Sequence, residues 1–197
     1  GKVESGQVEQ LLGIYYRHIL PSDLEEHDPE DLLGALIAHW RLIRERRPEQ
    51  AKVRVYNPNQ EDHGWRSHDT VIEVVARDMP FLVDSISSAL NREGLAIKLT
   101  IHPVFGIARN ADGLVTQIRE HTNDQGYIQE AVIQMHVDRQ PEENLPMLQQ
   151  LVHKVIGDVV LATSDWLKMQ HVTQAVHDEL GGRAAPDSTF DVEEMQA

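Results

Sequence analysis

The chain of 197 residues has no cysteine, which removes disulfides, thiolate metal sites and cysteine nucleophiles together and makes a reducing cytoplasm the expected location. Positive charge is scarce as well. Only 18 Lys and Arg stand against 32 Asp and Glu, a formal net charge of -14, so the average field repels a polyphosphate backbone and nucleic acid is not an expected partner. No apolar stretch approaches the ~20 residues that cross a bilayer, so no membrane partner is expected either. Residues 1–10 lack the basic start and apolar run of a signal peptide. The missing initiator methionine reads as the mark of an excised fragment.

Motifs that carry chemistry are missing too. No G-x-G-x-x-G follows a strand, and no G-x-x-x-x-G-K-S/T, H-E-x-x-H or G-x-S-x-G occurs, so no dinucleotide, P-loop, zinc-protease or serine-hydrolase site is expected. The 11 histidines do not make up for this. His171 and His177 are six apart and point to different faces of a helix, where a ligand pair wants four. His102 and His136 read as ordinary sheet residues, because a metal site needs three or four converging ligands. No metal and no cofactor are expected in this chain. The acid pairs Glu25-Glu26 and Glu142-Glu143 read as helix starts, and the basic run Arg41 to Arg47 as a solvated C-terminal turn.

What is present is a folded composition, 41% hydrophobic with 25% charged residues, and clear punctuation. Val8, Leu11, Leu12, Tyr15 and Ile19 recur at helical steps, and Pro21 ends that helix. Ser22 and Glu25 have capping-box spacing, and Asp28-Pro29-Glu30-Asp31 opens a second helix whose apolar face is Leu32, Leu33, Leu36, Ile37, Trp40 and Ile43. The two are expected to pack as a hairpin. Lys52 to Tyr56 alternates like a strand, residues 59–69 form a polar loop, and 70–76 is a β-branched strand buried on both faces. Phe81, Leu82, Ile86 and Leu90 mark a helix that Gly94 closes, with Asp78 as its expected cap and Pro80 in its early turn. A strand from Leu95 to near Arg109 follows. Asn110-Ala111-Asp112-Gly113 then turns the chain into a hairpin with 114–118. Gln129 to Val137 sets Ala131, Ile133, Met135 and Val137 on one face against Val132, Gln134 and His136 on the other. Pro141-Glu142-Glu143 opens a helix running toward Leu161, and a last helix is expected over 165–180, followed by an acidic linker over 187–194.

One constellation suits a small ligand. Arg77-Asp78-Met79-Pro80-Phe81 lies at a helix N-terminus, whose free N–H groups seat a carboxylate, with Asp84 and Ser85 one turn on to meet an amino group or hydroxyl. The first reading of this turn is packing. The second is an effector site formed by Asp78, Met79, Pro80, Phe81, Asp84 and Ser85.

The order strand, D-x-P turn, helix, x-x-x-G-L, strand resembles the ACT domain, with Asp78, Pro80, Leu82, Val83, Ile86, Leu90, Gly94, Leu95 and Ile97 in matching places. Phe81 stands where that family usually has glycine. A wider set of segments, Tyr15-Tyr16-Arg17-His18, Asp28-Pro29-Glu30-Asp31-Leu32, Ala38-His39-Trp40, Val53-Arg54-Val55-Tyr56-Asn57-Pro58, His63-Gly64-Trp65, Asp78 to Ser85 and Ile101-His102-Pro103-Val104, resembles the N-terminal region of the large bacterial NAD-dependent glutamate dehydrogenases over most of residues 10–182.

The resemblance implies an α+β fold, an ACT-like (ferredoxin-like βαββαβ) antiparallel sheet with helices on one face. An N-terminal helical hairpin precedes it and a C-terminal helix follows. The expected domains are 1–48 (helical segment), 49–162 (ACT-like) and 163–197 (helix and linker); a final strand at 159–161 and continued helix there remain alternatives. The implied role is a non-catalytic regulatory or assembly module. NAD and the oxidation of L-glutamate to 2-oxoglutarate and ammonium belong to the parent enzyme. A free-standing amino-acid sensor is the alternative. Self-association and a small amino-acid effector are the implied partners.

Overall fold

The computed structural model describes residues 11–17, 19, 28–47, 49–120, 122 and 124–182. The Ser22/Glu25 capping box, the start of the first N-terminal helix and the acidic segment 187–194 lie outside the described residues. Residues 11–15 are helical. Helix α1 spans Pro29–Ile43, with Asp28 as N-cap accepting from the Glu30 N–H and Pro29 at its start, as the missing proline donor favours.

The sheet is antiparallel throughout. Its strands are β1 (Lys52–Tyr56), β2 (Thr70–Arg77), β3 (Ile97–Ile101), β4 (Val104–Arg109), β5 (Val115–Glu120) and β6 (Ile128–Val137). They lie in the order β1-β2-β6-β4-β5, with β3 also on β6. The expected single strand from Leu95 is broken. Pro103 has no N–H to give the ladder; its carbonyl instead accepts from Val132 N–H at 3.0 Å. β3 then pairs with residues 134–137 of β6 and β4 with residues 128–131. Residues 59–69 also hold a short helix, α2 (Gln60–His63), capped by the Asn59 side chain; four residues give no period to read.

Helix α3 (Leu82–Arg92) ends in the expected glycine. Leu95 N–H bonds to the Leu90 carbonyl and Gly94 N–H to that of Asn91, the Schellman closure, with Gly94 at φ 77°. Its start differs from expectation. Phe81 rather than Asp78 is the N-cap and no side chain caps the helix, so Pro80 lies before the helix and outside its first turn. Beyond a single 3-10 turn at Glu142–Asn144 runs α4 (Leu145–Gly182). The last two expected helices are therefore one, and 159–161 continue the helix. The place beside β2 that a strand there would have taken belongs to β1, which pairs with β2 from Lys52↔Val75 to Tyr56↔Val71.

Contacts divide the chain into two units, residues 1–159 and 160–197. In the first, period-two alternation gives the sheet two buried faces. Ile72, Val74, Ala76, Ala131, Ile133 and Met135 pack with Ile86 and Leu90 of α3 and Leu148, Val152 and Ile156 of α4. Val75, Val132, Phe105 and Ile107 on the other face pack with Leu36, Trp40 and Ile43 of α1 and with Leu11 and Tyr15. The ACT-like segment thus keeps its two helices on one face, and the N-terminal segment covers the other. Among the described residues of the second unit, α4 continues through Gly182.

Candidate functional site

The six residues expected to form an effector site do sit together, on the loop from β2 and the first turn of α3. Asp78, Pro80 and Asp84 are exposed and Ser85 is half-buried. Met79 packs against the core. Asp78 gives its backbone N–H to the Gln129 carbonyl at 2.9 Å, and Ser85 gives its own to Phe81. Phe81 is the conspicuous member. It holds φ 67°, the one positive φ outside glycine among the described residues, and its side chain is 69% exposed. A left-handed conformation costs an L-residue roughly 1–2 kcal/mol, and an exposed ring returns nothing through burial.

A second arrangement lies on the opposite face of the sheet, where α1 crosses β1, β2 and β6. Glu73 of β2 is fully buried. Arg54 reaches its Oε2 through Nε at 2.9 Å, and the Tyr56 hydroxyl donates to Oε1 at 2.9 Å. Gln134 Nε2 lies 3.4 Å from the same Oε1. Arg54 also donates to the Ala38 carbonyl of α1 at 2.8 Å, so the ion pair holds helix to sheet. Alongside, the Tyr15 hydroxyl meets His39 Nδ1 at 2.6 Å. Burial lowers the His39 pKa, partly offset by the Glu73 charge. Burial likewise raises Tyr15, Tyr16 and Tyr56 well above the ordinary tyrosine value, with Glu73 adding to it. The phenols therefore stay protonated and serve as donors. A hydroxyl beside an imidazole has the parts of a nucleophile and base, but Tyr15 is 1% exposed and His39 0%, so no substrate reaches them.

At the far end of the same face, Glu130 of β6 sits between two arginines. Arg46 Nη2 lies 2.7 Å from Oε1 and Arg109 Nη2 2.7 Å from Oε2, all three side chains at most 2% exposed. Burial would raise the Glu130 pKa, but the hydrogen bonds and charges of Arg109 and Arg46 hold it below the ordinary value. The surplus positive charge is met by carbonyls: Arg46 donates to Arg47 and Gln50, and Arg109 to Gly113 and Ile43. The expected solvated turn over 41–47 is thus corrected at one position. Arg41, Arg44 and Arg47 are exposed, whereas Arg46 is buried. Nothing local marks it out, because its partner is 84 residues away.

Between the β2-proximal loop and α1 the same face opens into a cavity of about 520 Å3. Trp65, Gln134 and His136, each at most 4% exposed, lie deepest; Asp28, Arg66 and His68 are at the mouth. Its lining comes from four separate stretches, so no contiguous motif announces it. The signal available in the sequence was Gln134 and His136 standing at the core positions of an apolar strand face.

An antiparallel sheet whose β2 and β6 are each followed by a helix, with a D-x-P turn at the start of the first, places the chain in the ACT-like class of α+β domains. The family model described as "Glutamate dehydrogenase, ACT1 domain" matches residues 11–154, and the chain belongs to that family. It is 32% identical over 182 residues, 91% of its length, to the NAD-specific glutamate dehydrogenase of Halomonas elongata, and covers 11% of that protein. With the Pseudomonas aeruginosa protein of the same name it shares 32% identity over 83% of its length, and with that of Mycobacterium tuberculosis 28% over 85%. It covers 10% of each, so the chain spans about a tenth of the length of these relatives.

Proposed function

We propose that the chain is a non-catalytic regulatory or assembly module of a long NAD-dependent glutamate dehydrogenase, an enzyme that converts L-glutamate and NAD to 2-oxoglutarate, ammonium and NADH. The observation that carries this reading is the family match over 11–154 in a chain that spans about a tenth of relatives named for that activity. The chemistry of the described residues supports it. Their buried charges are matched within the fold, and the one hydroxyl–imidazole pair is sealed. The NAD and the reacting groups would then lie elsewhere in the long chain, and the cytoplasm, where glutamate and NAD are held, is its place of action.

Within this reading the turn Asp78-Met79-Pro80-Phe81, with Asp84 and Ser85, is the seat of an amino-acid effector, and the strained, exposed Phe81 supports that role. Oligomerisation belongs to the reading of the longer enzyme, and in this chain β1 and β5 offer the edges for it. Two measurements test the proposal. The purified chain, given L-glutamate and NAD, is expected to form no NADH above a blank; turnover that survives purification overturns it. Asp78→Ala and Ser85→Ala are expected to weaken calorimetric binding of the recognised amino acid with little change in Tm. A panel of amino acids giving no heat with the unsubstituted chain removes the effector role and leaves assembly.

A further inference from the structure

Helix α4 carries one apolar seam along its length. Leu145, Leu148, Val152, Val155 and Val159 recur at steps of three and four and pack into the core of the first unit. The same seven-residue repeat runs on through the second unit. Trp166, Thr173 and Leu180 follow Val159 at one position of the repeat, and Ala162, Met169 and Val176 hold the other. Among the described side chains of 160–182 none is buried: Val160 is 43% exposed, Leu161 67% and Val176 49%. Most helical stability in proteins comes from packing an apolar face, and Val172, Thr173 and Val176 are weak helix formers on their own. A seam of this repeat is the kind that two helices close between them by supercoiling.

The flanking residues choose the partner and its direction. With Trp166 at position a and Met169 at d, positions g hold Asp165, Val172 and Glu179, and positions e hold Thr163, Gln170 and His177. Between two copies running parallel and in register, Asp165 is set against Gln170 and Val172 against His177, so no like charges meet. Thr173, the one polar residue on this stretch of the seam, is set against its own copy. In the antiparallel arrangement that keeps 162–180 paired, Asp165 is set against Glu179 twice over and Thr173 against Met169. The seam is thus complementary to itself in one orientation.

We propose that residues 160–182 of α4 pair with the same segment of a second copy as a parallel, in-register, two-stranded coiled coil. This deepens the assembly side of the reading above and rests on it. The two fail separately, because NADH formation tests that reading and helix pairing tests this one.

The chain has no cysteine, so a single introduced cysteine reports on one contact. Val176→Cys places a thiol at d, where a parallel in-register pair brings it to its own copy; Ala175→Cys places one at c, outside the seam. Oxidised with copper phenanthroline, the Val176→Cys chain is expected to form a disulfide-linked dimer about tenfold faster than the Ala175→Cys chain. Sedimentation equilibrium of the unsubstituted chain, from micromolar to millimolar concentration, is expected to show the mean mass rising from 22.4 kDa toward a dimer. Val176→Asp should weaken that dimer at least about tenfold by setting two like charges on the seam, and Thr173→Val should tighten it about tenfold. Both positions are exposed in the single chain and lie outside residues 1–159, so the sheet core is untouched by either. A mean mass that stays at 22.4 kDa overturns the proposal. So does a dimer that Val176→Asp does not weaken, since another surface then holds the copies together, or equal cross-linking of the two cysteine variants, which removes the register.

Discussion

At the scale of single residues, two side chains bear measurable costs. Phe81 occupies a left-handed N-cap. Glycine adopts that conformation freely but loses more chain entropy on folding, so Phe81→Gly is expected to raise unfolding stability by up to about 1 kcal/mol. Phe81→Ala keeps a Cβ and is expected to give no such gain; urea denaturation of the pair separates relief of backbone strain from loss of the ring. His39 carries the other cost. Its pKa is lowered by burial, so below its ordinary value of 6.5 the unfolded chain binds a proton that the folded one refuses. Its contribution is complete above that value and is lost as pH falls toward the lowered one. Stability is therefore expected to decline from about pH 7 to pH 5, and His39→Gln to flatten that decline; an unchanged slope in the variant would assign the effect elsewhere.

At the scale of elements, the Arg46–Glu130–Arg109 cluster joins three pieces: the chain leaving α1, the β4–β5 hairpin and the central strand β6. Glu130→Gln leaves two buried guanidinium groups facing a neutral amide, and a loss of about 3–5 kcal/mol is expected in chemical denaturation. The Glu130 pKa is held low, so the contribution is present above the ordinary carboxylate range and disappears only as pH falls below it. Hydrogen exchange of the β5 amides should rise first in the variant, because Arg46 N–H bonds the Gly113 carbonyl and Val115 N–H that of Arg44. Gly113 itself sits at φ 84°, and a Cβ there would meet the Arg46 carbonyl oxygen at 2.6 Å. What the sequence discloses and what it hides divide along this line. Lys52–Tyr56, Thr70–Arg77, the Asp28 cap and the Gly94 closure were legible because each is written within a few residues, by alternation, by a cap or by the need for positive φ. The D-x-P turn was legible for the same reason. The partners of Arg46, the helix start at Phe81 and the cavity under α1 were not, because distance in the chain or a backbone angle decides them. The break at Pro103 is written in the sequence, but strand-like residues on both sides mask it.

At the scale of the whole molecule, the covering of both sheet faces within residues 1–159 bears on association. Among the described residues helices pack on both faces, and β1 and β5 are the outer strands of the order, so their edges are one surface on which copies can meet. Val55 N–H already meets Gln149 Oε1 at 3.4 Å on β1, and the segment at Glu45 bridges to Leu114 beside β5. Sedimentation equilibrium at micromolar concentrations tests whether these edges suffice. A rise in mean mass above 22.4 kDa supports an assembly role for this chain, and a constant mass removes it. The place of β1 has a further consequence. Because the strand beside β2 precedes it in the chain, every strand among the described residues has been synthesised once Val137 is made. The nascent chain can close its ladder without waiting for anything beyond α4. Translation can therefore complete this set of strands before α4 is made, and the sheet then waits only for the helix that covers one of its faces.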